Sequence, residues 1–304
     1  MTAVQSNGLT IEVESLGADD APALLLIMGL GMQLLGWPDE FCEQLAARGF
    51  RVLRFDNRDV GLSSRIAWDR PVRLPLALAA FWLGLPVRAP YKLDDMAADA
   101  VGVLDALRIE QAHVVGASLG GMIAQVMAAR HPQRVRTLTS IMSTTGYRRV
   151  SQSKPAAARA LLSRPADPTD LQSVVDHLTR VFSVIGSPGY PADPVHLRQR
   201  IERSVRRAYD PKGTARQLLA ILASGNRRAL LGDIVAPTLV IHGADDPLVP
   251  LTAGRDTAEH IAGARLMVVD GMGHDLPAAL YPRLVEAIAG HCTSASQEPL
   301  LGGR

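Results

Sequence analysis

The sequence predicts an α/β protein with a mostly parallel central sheet, helices on both faces and a helical insertion. Three observations carry this. Short β-branched and aliphatic runs alternate with longer segments of helical period, the pattern of a parallel sheet covered on both sides. The alternation lapses over residues 143–232 and then resumes. The composition, 47% hydrophobic and 20% charged over 304 residues, is that of an ordinary globular chain, and this length suits one large domain carrying an insertion.

Taken in order, residues 23–28 (ALLLIM) read as a buried strand followed by a glycine-containing loop, and residues 51–55 (RVLRF) as the next strand, ending at Asp56. Residues 95–107 place Met96, Ala100, Val103, Leu104 and Leu107 on one helical stripe. A strand at 113–115, a tight Gly/Ser turn and a helix over 119–130 follow, the helix stopping before Pro132. A strand over 135–142 closes the first half. Residues 143–232 read as helices and loops, broken by proline-rich stretches at 163–168 and 186–194. Strands resume at 238–241 and 265–269, and an amphipathic helix is expected over 277–289. The expected organisation is therefore a core of 1–142 and 233–290, a helical cap over 143–232, and a polar, Gly-rich tail at 291–304 expected to be disordered.

Several function classes are excluded by composition. Lys+Arg at 32 against Asp+Glu at 30 leaves a net charge of +2, too small for a nucleic-acid or membrane-surface protein. The arginine run Arg198, Arg200, Arg203, Arg206 and Arg207 lies opposite Leu197, Ile201 and Val205, which reads as an amphipathic helix with a solvated basic face. Two cysteines, Cys42 and Cys292, are too few for a disulfide scaffold or a cysteine-based zinc site, and no metal is expected. The first 17 residues have neither the basic start nor the apolar centre of a signal peptide. The most apolar stretch, 74–87, is interrupted by Pro75, Gly84 and Pro86 and is too short for a span. A cytoplasmic protein is expected.

The strongest chemical signal is Gly116-Ala117-Ser118-Leu119-Gly120, set between a strand and a helix. That is the context of a nucleophile elbow: the reversal strains the serine and exposes it at the carboxyl edge of the sheet, at the dipole-positive start of a helix. An ordinary glycine-rich turn with a serine cap is the alternative. A serine hydroxyl needs a base. Gly271-Met272-Gly273-His274 puts His274 on a loop just after the strand ending at Val269, on the same face as Ser118. The orienting acid should come from the preceding strand end, where Asp245 and Asp246 stand side by side. The chain order Ser, Asp, His is the one used by hydrolases built on an α/β sheet. Gly29-x-Gly31 lacks the third glycine of a dinucleotide-binding loop, so no cofactor is expected.

With these residues in place the chain resembles the α/β-hydrolase fold superfamily, from the strand at 23–28 to the final helix. Gly243-Ala244-Asp245-Asp246-Pro247-Leu248-Val249-Pro250 is similar to the family's acid motif and implies Asp246 as the acid, with Asp245 dispensable. Asp56-Asn57-Arg58-Asp59-Val60-Gly61-Leu62-Ser63 is similar to a second family loop but carries Asp59 where glycine is usual. Together with Met28-Gly29-Leu30-Gly31, it is similar to the carboxylesterase branch that includes aclacinomycin methylesterase. The resemblance implies an oxyanion hole made by the backbone N–H groups of Leu30 and Leu119. Relatives usually carry His-Gly where this chain has Met28-Gly29, so the side-chain hydrogen bond that anchors the loop would be lost.

The resemblance implies a serine hydrolase cleaving carboxylic esters of small to medium apolar acyl groups through Ser118, His274 and Asp246 and an acyl-enzyme. A C–C bond hydrolase, a natural-product methylesterase and a ligand receptor that does not turn over remain open, because fold and triad do not separate them. The expected partner is a small-molecule ester. Met28, Leu78, Phe81, Trp82 and Phe182 are candidate pocket residues. Residues 74–87 read as a lid-like wall of an apolar pocket, with buried packing or membrane contact as alternatives. Most of the apolar stripe along 171–185 is expected to pack the cap onto the core.

Overall fold

The computed structural model describes residues 1–297. Eight strands form one sheet: β1 (Thr2–Ser6), β2 (Leu9–Leu16), β3 (Ala23–Ile27), β4 (Arg51–Phe55), β5 (Ala112–Ala117), β6 (Val135–Ile141), β7 (Thr238–Gly243) and β8 (Arg265–Val269). The spatial order is β1-β2-β4-β3-β5-β6-β7-β8. β1–β2 and β2–β4 are antiparallel and every later pairing is parallel. Sequence reading missed β1 and β2, although Asn7-Gly8 is the turn that a two-residue hairpin favours. Both residues adopt positive φ, 49° and 75°, and Ser6 pairs with Leu9 across the turn.

The central strands β3 to β7 are buried on both faces, and their side chains alternate between the two. Leu25 and Ile27 point into a core built with α3 (Leu93–Ala106) and α4 (Leu119–Arg130), where Met96, Val103, Ile123 and Met127 pack. Leu24 and Leu26 point into the opposite core, with α1 (Asp39–Ala47) and α11 (Tyr281–Gln297) supplying Phe41, Leu45, Leu284 and Ile288. This two-sided burial is why the strands read as continuous aliphatic runs. The first turn of α3 is held by the Asp95 carboxylate, which accepts from the Lys92 amide at 2.8 Å.

The final helix departs from expectation. It continues through Gln297, whereas a disordered tail from 291 was expected. His291 and Cys292 extend the buried stripe of Leu284, Val285 and Ile288 by helical spacing, and both are buried. His291 Nε2 reaches the Leu138 carbonyl at 3.2 Å. The short polar side chains that follow mask this continuation in the sequence. Residues 298–304 of the expected tail lie outside the described residues.

Between β4 and α3, residues 74–83 form α2 (Leu74–Leu83), and between β6 and β7 come five helices. These are α5 (Pro155–Leu162), α6 (Leu171–Ile185), α7 (Pro194–Arg207), α8 (Pro211–Ser224) and α9 (Arg228–Leu231). α10 (Leu251–Glu259) links β7 to β8. Asp170, Asp193 and Asp210 cap α6, α7 and α8 by accepting first-turn backbone amides. α6 buries Val174, Val175, Val181 and Ile185.

α7 is not simply a helix with a solvated basic face. Arg198 pairs with Asp176, Arg203 with Asp39 and Arg206 with Glu202. Arg207 turns inward onto the fully buried Asp56 at 2.7 Å. Among the described residues no helix is long and apolar enough to cross a membrane.

Candidate active site

β5 ends at Ala117 and α4 starts at Leu119, leaving Ser118 alone at the reversal with φ 54° and ψ −117°. This conformation is costly for a residue bearing a Cβ, by about 1–3 kcal/mol, and persists only where its surroundings enforce it. The surroundings are visible in the flanking glycines. A Cβ on Gly116 would stand 2.1 Å from the Gly120 carbonyl oxygen, and one on Gly120 would stand 1.9 Å from that of Ile27. The absence of a side chain at Gly116 therefore lets the helix fold back onto its own strand, and its absence at Gly120 lets α4 lie against the end of β3. The Ser118 amide donates to the Ile141 carbonyl at 2.9 Å, which ties the elbow to β6.

The structure brings the three candidate side chains into one line. His274 Nε2 lies 3.0 Å from Ser118 Oγ, and His274 Nδ1 lies 2.7 Å from Asp246 Oδ2. The other oxygen of Asp246 accepts the amides of Leu248 and Val249 at 2.9 and 2.8 Å. Asp246 is buried, so its carboxylate is oriented by these amides instead of by water. Asp245 is exposed and accepts only the Gly271 amide, at 2.9 Å. The His274 loop is held from the insertion: its amide donates to the Ile185 carbonyl at 2.7 Å, and the Gly273 amide to Ser187 Oγ at 2.8 Å. Asp275, beside it, hydrogen-bonds Ser187, and burial raises its pKa.

A second buried histidine, His242, was not singled out from sequence. It is the next-to-last residue of β7, with Nε2 2.7 Å from the Val249 carbonyl and 3.8 Å from Asp246 Oδ2. Burial lowers its pKa, so it stays neutral and donates to that carbonyl. It thereby steadies the turn whose amides hold Asp246.

The two candidate oxyanion donors flank the serine. Leu119 is the first residue of α4, whose amide has no partner within the helix. Leu30 follows Gly29, where an added Cβ would stand 3.3 Å from Ser118 Cβ. The anchoring that a histidine at position 28 would give is replaced in two ways. Asn57 Nδ2 donates to the Met28 carbonyl at 2.9 Å, and Gln217 Oε1 of α8 accepts the Gly31 amide at 2.9 Å. Gln217 lies far off in sequence, in a segment with no motif, and nothing in the pattern marks it.

The line of side chains opens into a cavity of about 2210 Å³ between the sheet edge and the inserted helices. Met28, Leu78, Phe81, Trp82 and Phe182 all line it. Buried packing of α2 is overturned, since the helix has no buried residue. Leu78 and Phe81 are half-buried against the cavity, and Trp82 is 51% exposed at its rim. Arg148 holds the end of this helix, donating to the Phe81 carbonyl at 2.7 Å and stacking over the Phe81 ring. Among the described residues no group of three or more His, Cys, Asp or Glu could hold a metal ion.

The chain belongs to the alpha/beta hydrolase fold family, whose model matches residues 22–277. It is 31% identical to rhodomycin D methylesterase of Streptomyces peucetius, over 96% of this chain and 98% of the relative. It is also 32% identical to a 2-hydroxymuconate semialdehyde hydrolase of a Pseudomonas species, over 69% of this chain and 71% of the relative. Its fold is that of a meta-cleavage product hydrolase from Pseudomonas fluorescens, with a TM-score of 0.75 at 20% identity, covering 97% of this chain and 98% of that one.

Proposed function

We propose that this protein is a serine-dependent carboxylic ester hydrolase. The observation that carries the reading is the unbroken hydrogen-bonded line Asp246–His274–Ser118 opening on a largely apolar cavity. Ser118 Oγ attacks the ester carbonyl as His274 Nε2 takes its proton. Asp246 holds the Nδ1–H tautomer and stabilises the imidazolium that forms. The Leu30 and Leu119 amides receive the charge of the tetrahedral oxyanion. His274 then passes its proton to the departing alkoxide, leaving an acyl-enzyme. Water, deprotonated by the same imidazole, releases the acid and frees Ser118.

The inserted helices act as a cap and set specificity. A cavity of about 2210 Å³ is larger than the pockets of roughly 300–1,000 Å³ that commonly hold drug-sized ligands, so it has room for more than a small or medium acyl group. This favours a narrower form of the same reading, a methyl ester on a bulky, largely apolar carbon skeleton. The similarity to a rhodomycin D methylesterase across nearly both chains supports it. The similarity to a 2-hydroxymuconate semialdehyde hydrolase keeps C–C cleavage as the competing reaction.

The test is one panel: p-nitrophenyl esters from C2 to C12, methyl esters of polycyclic acids, and a vinylogous 1,5-diketone. Serine-dependent release of alcohol, highest for the polycyclic methyl esters, supports the reading. Turnover of the diketone alone would replace it with C–C hydrolysis, and tight binding without turnover of any substrate would make the protein a receptor.

A further inference from the structure

The oxyanion loop is held mainly by the insertion, and α8 makes the closest approach. A Cβ on Gly31 would stand 2.7 Å from Thr214 Oγ1, and one on Gly213 would stand 2.0 Å from the Asp59 carbonyl oxygen. The helix thus lies directly on two core loops. Into this contact Gln217, fully buried, inserts its amide. Oε1 accepts from the Gly31 amide at 2.9 Å, while Nε2 donates to the Arg58 carbonyl at 2.8 Å.

The surrounding contacts have the same direction. Arg216 binds both oxygens of the buried Asp59, at 2.9 and 2.7 Å. Gln33 donates to the Ser204 and Ala208 carbonyls at the end of α7, at 2.6 and 2.7 Å. Arg207 reaches back to Gln33 Oε1 at 2.7 Å. Leu30 directly precedes Gly31, so once the 30–31 peptide is fixed only the φ and ψ of Leu30 stand between it and the direction of the Leu30 N–H.

We propose that Gln217 is a positioning residue for the oxyanion hole, fixing the Leu30 amide through Gly31 so that the hole is complete only when α8 is seated on the core. This rests on the ester hydrolase reading above. An oxyanion donor acts through preorganisation: it stabilises developing charge only if it already points to the right place, and a small misalignment is costly. Substrate ground-state binding depends on the apolar cavity and not on this amide. Loosening Gly31 should therefore lower kcat while leaving KM nearly unchanged.

The test compares wild type, Gln217→Met and Gln217→Glu with p-nitrophenyl butyrate and an alkyl trifluoromethyl ketone, whose Ser118 adduct places an oxyanion in the hole. Gln217→Met fills the space without an acceptor. It should lower kcat about 10- to 100-fold, move KM by less than about threefold, and weaken the ketone in parallel with kcat. Gln217→Glu, with its buried carboxyl protonated, keeps both an acceptor for the Gly31 amide and a donor for the Arg58 carbonyl and should recover most of the loss. Unchanged kcat and ketone affinity in a less stable Gln217→Met protein would overturn the proposal, leaving Gln217 a packing residue, and a rise in KM alone would also overturn it. If Gln217→Met does not fold, Gln217→Asn, one methylene shorter, carries the same measurement. Ser118→Ala run alongside separates the two readings: full turnover by it would refute the serine mechanism on which both rest, whereas its loss of turnover together with an unchanged Gln217→Met would refute the role of Gln217 alone.

Discussion

Replacing Asp246 with asparagine tests the site most sharply, because the structure dictates how an amide must fail there. One carboxylate oxygen faces His274 Nδ1 at 2.7 Å and the other accepts two backbone amides at 2.9 and 2.8 Å. A carboxamide has only one oxygen. If that oxygen keeps the Leu248 and Val249 amides, the NH2 group faces His274 Nδ1 and forces the proton onto Nε2, which can then no longer accept from Ser118. If the amide flips, the NH2 group meets two N–H donors, and losing two buried hydrogen bonds costs roughly 2–6 kcal/mol. Residual activity follows whichever state is cheaper. A wrong-tautomer state in a triad lowers kcat by about 10⁴, equivalent to roughly 5.5 kcal/mol. Asp245→Asn provides the control: it is exposed, meets one amide, and its remaining oxygen can still accept. We expect kcat for p-nitrophenyl butyrate to fall about 10³- to 10⁴-fold in Asp246→Asn and less than about threefold in Asp245→Asn. Circular dichroism should be unchanged in both. Activity of Asp246→Asn within tenfold of wild type, or a larger loss in Asp245→Asn, would refute the orientation argument.

Other consequences are as direct. Ser118→Ala should abolish ester turnover with folding intact, as read by the melting temperature; substantial residual turnover would remove Ser118 as the nucleophile. Joint truncation of Leu78, Phe81 and Trp82 to alanine should leave acetate ester hydrolysis within about threefold and lower kcat/KM for decanoate esters tenfold or more, at about 0.8 kcal/mol per methylene removed from contact. Equal loss at every chain length would refute the wall. Stability should depend on His113, which is buried in β5 beside Thr137. Burial, with Arg136 and His291 adding, lowers its pKa from 6.5 to about 4. The unfolded chain takes up a proton as pH falls through the ordinary value, while the folded chain resists until about 4. This contribution is therefore complete above pH 6.5 and is lost on acidification, by about 3 kcal/mol at pH 4. Urea unfolding at pH 7 and 4.5 should show the loss, and His113→Gln should reduce it; an identical pH dependence in the variant would exclude His113 as a source.

The parts of the molecule that were legible are those whose physics is local in sequence. β3 reads as Ala-Leu-Leu-Leu-Ile because a strand buried on both faces has no polar side. Ser118 stands out because its turn excludes side chains at both flanking positions, and His274 and Asp246 because each follows a strand that can be recognised. α2 was legible as an apolar excursion, but its exposure was not, since apolar periodicity cannot report whether a partner exists. The β1–β2 hairpin has a turn signal, but its strands carry polar residues on the solvent face and sit at a sheet edge. Cys292 was misread because the pattern was cut off at a glycine that the helix simply runs through.

What sequence could not convey is the contact between segments that meet only in three dimensions. Asp59 shows this best. It adopts φ 69°, a conformation that costs a non-glycine residue roughly 1–2 kcal/mol. Its carboxylate also receives the Tyr91 hydroxyl at 2.6 Å and the Ile66 amide at 2.8 Å, besides Arg216. Removing one partner from a buried pair of this kind costs about 3–5 kcal/mol, more than the backbone strain. The departure from the family loop is therefore coupled to α8: glycine at this position would relieve the strain and leave Arg216 with the more distant Asp210, at 3.5 Å, in place of its two close hydrogen bonds. Asp59→Gly should accordingly destabilise the fold, and Arg216→Met in the same chain should recover much of that loss. Additive destabilisation by the two substitutions in a double-mutant cycle would show that Asp59 and α8 are energetically independent.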